Sequence, residues 1–382
     1  MSEVVSGAAD RAGAVLEIDL GAVAANWRML RDRAAAASGA GCAAVVKADA
    51  YGLGIAEVGP ALAAAGCRTF FVAHIDEGMT LRGLLPHAEI AVLNGLLPGT
   101  ARVFREYRLL PVLNDLGQVD AWRDSGAGAA ILQIDSGMNR LGLPRREVEA
   151  LAAASPDRLG GVVLRTVMSH LACADEPEHP MNAAQRDAFA AACRILPPAP
   201  ASLAASSGIF LGPDYHGDLV RPGAALYGVN PLPGRLNEMR QVVRLKGKIL
   251  QVRDIDTGDA VGYGATHRRT RPGRIATVAV GYADGWLRSF SNSGSVVFDG
   301  HKLPLVGRVS MDLITIDVSS PEPAARVRPG DCVELLGDAY TVDDAAAEAG
   351  TIGYEILTSL GRRYHRSYVG RIGAETGAGH AA

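Results

Sequence analysis

From Val15 to about Tyr227, short apolar runs rich in branched residues alternate with longer alanine-rich stretches, several with apolar positions three and four apart. That alternation predicts parallel strands joined by crossover helices. Strands are expected at residues 43–46, 69–73, 89–93, 110–113, 129–134, 162–168, 201–205 and 219–227, with helices such as 22–37, 57–65, 117–124, 145–154 and 182–196 between them. Eight strands with their crossovers are the arithmetic of a closed (β/α)8 TIM-type barrel. An open doubly wound sheet is the alternative, but no G-x-G-x-x-G follows the first strand.

After the Pro/Gly-rich passage 230–234 the pattern changes to short alternating segments, among them "KGKILQVRDI", "GRIATVAVGYADG" and "DLITIDVS". These predict a mostly antiparallel β domain with one or two helices near residues 342–360. The domain plan is an α/β barrel over 15–240 followed by the β domain over 241–371. Residues 1–14 and 372–382, small and polar, are expected to be flexible.

The 382 residues are 48% hydrophobic and 21% charged, with a net charge of −3. Such a balance offers nothing to nucleic acid or an acidic membrane surface, so small-molecule chemistry becomes the expectation. Five scattered cysteines never form CxxC, which argues against a disulfide framework or a zinc site and for a reducing, cytoplasmic setting. No apolar run approaches the roughly 18 residues that span a bilayer.

In a barrel of this kind the site is built at the carboxyl ends of the strands. Those ends carry Lys47, His74, Asn94, Asn114, Asp135 with Arg140, Ser169-His170, Ser206-Ser207-Gly208 and Arg221-Pro222-Gly223. Asn94 and Asn114 read as turn residues, His74 equally as a structural histidine, and Asp135 with Arg140 equally as a loop ion pair. His179, His216, His301 and His365 show no shared spacing with carboxylates, and no metal site is expected.

Lys47 ends the apolar run Ala43-Ala44-Val45-Val46, an awkward place for a strongly hydrated ammonium group. At the ordinary lysine pKa of ~10.4 only about one amine in 10³ is neutral at pH 7. A lysine partly removed from water at a barrel mouth can have its pKa depressed, freeing the amine to attack a carbonyl. The small residues after strands seven and eight fit the customary phosphate site of the fold. An imine-forming lysine and a phosphate cradle together fit pyridoxal 5'-phosphate, and a Schiff-base aldolase acting on a phosphorylated sugar fits the barrel alone nearly as well.

The stretches "VVKADAYG", "DSGMNRLG", "SHLACAD", "LVRPGAALYG", "VGYGATH", "VAVGYADG", "GRVSMDLITIDV" and "GTIGYEILTSL" occur in one order from about Val15 to Gly370. Together they resemble the pyridoxal phosphate-dependent alanine racemases over almost the whole chain. The resemblance implies a barrel followed by a β domain and a head-to-tail homodimer whose two sites each take residues from both chains. Lys47 would carry the cofactor and act as one catalytic base; Tyr263, from the partner chain, would be the other. Arg221 would face the pyridine nitrogen, with His170 between it and the tyrosine. Tyr51, Ser206, Gly223, Ala224 and Tyr354 would hold the phosphate. Arg140 and the partner's Met311 would meet the substrate carboxylate, and Tyr282 would line the entrance. The product, D-alanine, would supply peptidoglycan precursors.

Racemisation removes a proton from one face and returns one to the other, which suits two unlike bases on opposite sides. By themselves the tyrosines are more simply structural: Gly-Tyr-Gly reads as a tight turn or bulge, and Tyr354 with Glu355 as a helix start. Two positions depart from the family pattern. Gln133 stands where a carbamylated lysine often orients the arginine, leaving an amide to hold Arg140 by hydrogen bonding. Ala205 replaces an asparagine before the phosphate-binding serine. A related serine or broad-specificity racemase is the nearest rival; a decarboxylase of the same plan leaves the Tyr263 motif unexplained, and a non-catalytic pyridoxal phosphate carrier has no use for residues 245–370.

Overall fold

The computed structural model describes residues 7–155, 157–320 and 324–370. Residues 1–6 and 372–382, within the segments expected to be flexible, lie outside the described residues. Among the described residues two compact units form: one from Val23–Ala50 with Gly54–Arg240, the other from residues 7–22, Tyr51–Leu53 and residues 241–370.

The first unit is built on seven parallel strands, in the order Ala44–Val45, Thr69–Val72, Glu89–Val92, Leu110–Leu113, Gly128–Gln133, Val162–Met168 and Ala201–Ser202. Residues 70–72, 90–92, 112, 113, 130 and 132 are fully buried, so these strands read as unbroken apolar runs, as parallel strands covered on both faces do. An eighth strand, Leu219–Val220, pairs in parallel with Gly41–Cys42, the segment that leads into the first strand. On its other side the Asp218 N–H donates to Ala201 O at 2.7 Å and the Arg221 N–H to Ala204 O at 2.9 Å. Each of the eight strands thus has a neighbour on both sides, the (β/α)8 arrangement. Crossover helices include Ile55–Ala64, Ile75–Leu84, Leu116–Asp124, Arg145–Ala154 and Pro180–Ile195. Asp115 starts one of them by accepting from the Gln118 N–H at 2.8 Å, and Pro180 occupies the first turn of another.

Strands seven and eight are shorter than the apolar pattern suggests. The expected 219–227 strand stops at Val220: Pro222 has no N–H to donate, Gly223 turns the backbone, and Ala224–Tyr227 winds into a 3-10 turn. Its Tyr227 hydroxyl donates to Val45 O at 3.0 Å, so the apolar end of this segment packs inside the barrel.

The second unit is mostly antiparallel and centres on the long strand Val243–Ile255, which pairs with Gly273–Val278 and Cys332–Leu336. It also pairs with Ala14–Asp19, which in turn lies parallel to His365–Val369. This corrects the expectation that the barrel begins at residue 15. Along Ala14–Asp19 burial alternates, with Ala14, Leu16 and Ile18 inward, the signature of a strand with one covered face rather than two. The expected helices appear as Val342–Ala349 and Gly353–Ser359. Thr341 opens the first by a reciprocal cap with Asp344, and Gly350 ends it at φ +68°. No helix among the described residues is long and apolar enough to cross a membrane.

Candidate active site

Lys47 stands two residues past the first barrel strand, half-buried. Removal from water and the neighbouring Arg140 guanidinium lower its pKa, and Glu77 opposes them. The residues after it are unusual. Ala48, Asp49, Ala50 and Tyr51 all lie in the left-handed region, at φ +55°, +54°, +56° and +56°. For non-glycine residues this conformation costs roughly 1–2 kcal/mol each. It is held by the Ala50 N–H donating to Val46 O, the Gly54 N–H to Asp49 O, and the Ile55 N–H to Asp49 Oδ1. The Glu77 carboxylate adds bonds from the Ala48 and Asp49 N–H groups. Backbone strain of this kind concentrates at functional sites.

At the end of the eighth strand, next to the first, Arg221 is buried and has no carboxylate against it among the described residues. Its guanidinium donates to Ser202 Oγ and, at 2.6 Å, to Ser169 O, and lies over the Phe71 ring at 5.9 Å. Burial brings its pKa down to about 10. His170, next to Ser169, is pushed down to about 3 by burial and then by Arg221, Arg140 and Lys47, so its imidazole is neutral at pH 7. Its backbone carbonyl accepts from Gln185 Nε2 at 3.0 Å, and Gln185 also donates to Ser136 Oγ and accepts from the Ala172 N–H.

A histidine depressed in this way has a definite pH signature. As pH falls, the unfolded chain takes up a proton at its ordinary value of 6.5 before the folded chain does. Stability is therefore lost progressively between pH 6.5 and about 3. In nitrogen-labelled protein the His170 ring is expected to show no inflection between about pH 5 and 8. An inflection near its ordinary value would overturn this reading.

At the ends of strands seven and eight, the buried Ser206 Oγ accepts from the Gly223 N–H at 3.0 Å and the Ala225 N–H at 3.2 Å. These two bonds hold the Ser206 hydroxyl against the small residues Gly223-Ala224-Ala225, where the fold customarily receives a phosphate. Ala205 contributes only backbone there, its carbonyl accepting from the Ile209 N–H. The Arg140 loop is closed by the Leu143 N–H donating to Gln133 O and the Asp135 N–H to Leu143 O. Gln133 Nε2 reaches Leu141 O at 3.1 Å, so it braces the loop through the backbone rather than through the Arg140 side chain. Asp135 likewise turns inward on its own loop, accepting from the Gly137 and Asn139 N–H groups, and forms no ion pair with Arg140 among the described residues.

The remaining candidates belong to the other unit. Tyr51 is buried, its ring 6.1 Å from that of Tyr354, and burial followed by the Tyr354 phenol raises its pKa. Gly52 beside it allows close approach: at φ +82°, a Cβ would lie 2.6 Å from Leu357 O, in the helix that carries Tyr354. Tyr263 sits in a 3-10 turn between the paired strands Ala260–Val261 and His267–Arg268 and is 70% exposed. Glycines flank it at φ +73° and +72°, as the tight-turn reading of its motif requires. Tyr282 and Met311 are brought together, since the Tyr282 N–H donates to Ser310 O and the Ala283 N–H to Met311 O. They too are outward, at 44% and 53% exposure.

Residues 18–231 match the family model of the alanine racemase N-terminal domain, and residues 242–368 match that of the C-terminal domain. The chain belongs to the alanine racemase family. Among its relatives, an alanine racemase of Rhodospirillum rubrum is 54% identical, covering 94% of this chain and 97% of its own. A catabolic alanine racemase of Mesorhizobium japonicum is 53% identical, covering 94% of each. Among solved structures, alanine racemase from Bartonella henselae, described with covalently bound pyridoxal phosphate, is similar with a TM-score of 0.89. It shares 41% identity, covering 94% of this chain and 100% of that one.

Alanine racemases are isomerases that use pyridoxal phosphate, and the barrel residues here fit that group. A lysine amine with a lowered pKa suits its aldehyde, a buried serine hydroxyl set against small residues suits its phosphate, and a buried guanidinium can donate to its ring nitrogen. Several supporting residues escaped the sequence reading: Glu77, Ser202, Ser136 and Gln185. Gln185 left a trace, because it falls on the inward stripe Asn182, Gln185, Phe189, Ala192 of its helix, where an unneeded amide would be expensive to bury.

Proposed function

We propose that the protein interconverts L-alanine and D-alanine, with Lys47 and the partner subunit's Tyr263 as the two bases, and supplies D-alanine to peptidoglycan. The observation that carries this is the setting of Lys47: an amine at the end of the first barrel strand, depressed by burial and by Arg140. Pyridoxal phosphate, when bound, supplies an electron-withdrawing ring that makes the α-proton of an amino acid removable. Lys47 would hold it covalently. Ser206, Gly223, Ala224, Tyr51 and Tyr354 would hold the phosphate, and Arg221 the ring nitrogen.

Lys47 Nζ takes or returns the proton on one face of the substrate, and the Tyr263 hydroxyl does so on the other. A tyrosine with an ordinary pKa near 10 is a poor base at neutral pH. Positive charge and donors must assist it, the role of Arg221 acting through the neutral His170. Arginine holds its proton firmly, so opposite the ring nitrogen it limits how far charge is drawn away from the α-carbon and discourages side reactions. Arg140 and the partner's Met311 would receive the substrate carboxylate, and Tyr282 would narrow the entrance.

The homodimer follows from the same scheme. Tyr263, Met311 and Tyr282 present their side chains to solvent on a single chain, as residues lent to another copy would. The unpaired cysteines support a cytoplasmic setting.

The discriminating experiment presents a panel of L-amino acids to the enzyme in deuterated water, scoring deuterium at the α-carbon and product chirality. L-Alanine is expected to return as a racemate deuterated at Cα, with serine and larger side chains far slower. Decarboxylated product, serine as the best substrate, or no exchange at all would each replace this reading with one of its rivals.

A further inference from the structure

We propose that Glu77 is a positioning residue of the catalytic site, its carboxylate tying the left-handed turn behind Lys47 to the end of the neighbouring barrel strand. This rests on the assignment of Lys47 above and deepens it.

Glu77 lies in the first turn of the helix Ile75–Leu84, which His74 opens. Its two oxygens divide between two strand ends. Oε2 accepts from the Ala73 N–H at 2.8 Å and the His74 N–H at 3.1 Å, at the end of strand two. Oε1 accepts from the Ala48 N–H at 2.5 Å and the Asp49 N–H at 3.4 Å, immediately past Lys47 on strand one. Helix capping needs only the bond from the His74 N–H. The second pair spans to another element and secures the peptide that joins Lys47 to Ala48, where the chain enters four successive left-handed residues. A carboxylate can accept from all four N–H groups, whereas an amide presents donors of its own to one pair.

The charge has a second effect. Lys47 is faced by Arg140 and by neutral His170, and Glu77 is the anion that opposes Arg140 and burial. One side chain thus fixes where the amine stands and how readily it keeps a proton.

The test uses holoenzyme of Glu77→Gln and Glu77→Asp beside wild type, read by steady-state kinetics and by the pH titration of the visible band of the lysine-bound cofactor. Glu77→Gln is expected to retain the band while kcat falls about tenfold or more, with a smaller change in KM. Its titration midpoint should move to lower pH by about half a unit or more, because an anion that favoured the protonated form of the cofactor-bound Lys47 nitrogen is gone. Glu77→Asp keeps the charge and shortens the reach, so its midpoint should stay nearer wild type while kcat still falls. A Glu77→Gln enzyme with wild-type midpoint and kcat overturns the proposal. If Glu77→Gln does not fold, a Glu77→Asp enzyme with wild-type kcat does so. Should the wild-type protein itself show no lysine-bound band, the assignment of Lys47 fails instead.

Discussion

Lys47→Ala is expected to abolish the visible band of a lysine-bound cofactor and to lower racemisation by at least about 10⁴-fold, the upper range for removal of an acid-base group. Two functions disappear at once, the covalent tether and one of two proton carriers. The fold should survive, because Lys47 is only half-buried and the turn behind it is held by backbone bonds to Val46, Asp49 and Glu77. Cofactor is still expected to associate, loosely, through Ser206 and the small residues beside it. The check is reduction with borohydride followed by peptide mapping: in wild type the label should sit on the peptide containing Lys47, and in the variant it should be lost. Label at any other lysine would move the tether elsewhere.

Tyr263→Phe should behave differently. Removing one hydroxyl from a side chain 70% exposed on its own chain leaves folding and cofactor attachment intact. Racemisation should fall by roughly 10²–10⁴-fold, the usual range for a lost proton carrier. The fall in kcat/KM must be equal in both directions, because mirror-image substrates have equal free energy. The asymmetry appears in exchange instead. With Lys47 alone, one enantiomer can still lose its α-proton to one face and regain a proton from that face. That enantiomer should take up α-deuterium from the solvent without inversion, whereas the other should exchange hardly at all. Inversion at the wild-type rate, or equal exchange of both enantiomers, would contradict the two-base assignment.

The positions of these groups were legible in the chain for different reasons. Lys47, His170, Ser206 and Arg221 are polar residues that close apolar runs, and in a barrel every such ending points to the same face. Tyr263 carried no such signal: its Gly-Tyr-Gly setting describes only the turn the structure shows, and the role proposed for it rests on family likeness. The allegiance of Ala14–Asp19 was illegible because it depends on partners more than two hundred residues away, Val243–Gly247 and His365–Val369. The left-handed turn was hidden too. Ala48 and Ala50 have no intrinsic reason to adopt positive φ, Asp49 has only a slight one, and tertiary bonds such as those to Glu77 make it worthwhile. Gly52 and Gly54 were the visible traces of that turn.

The central claim is that each site draws Lys47 from one chain and Tyr263 from another, and mixed dimers test it most directly. Lys47→Ala and Tyr263→Phe proteins, each nearly inactive, are mixed under conditions that exchange subunits, and racemisation is followed as heterodimers form. A heterodimer should hold one site with both bases and one with neither, so random exchange should restore about a quarter of wild-type activity. If proven heterodimers remain as inactive as their parents, both bases come from the same chain and the shared site is wrong.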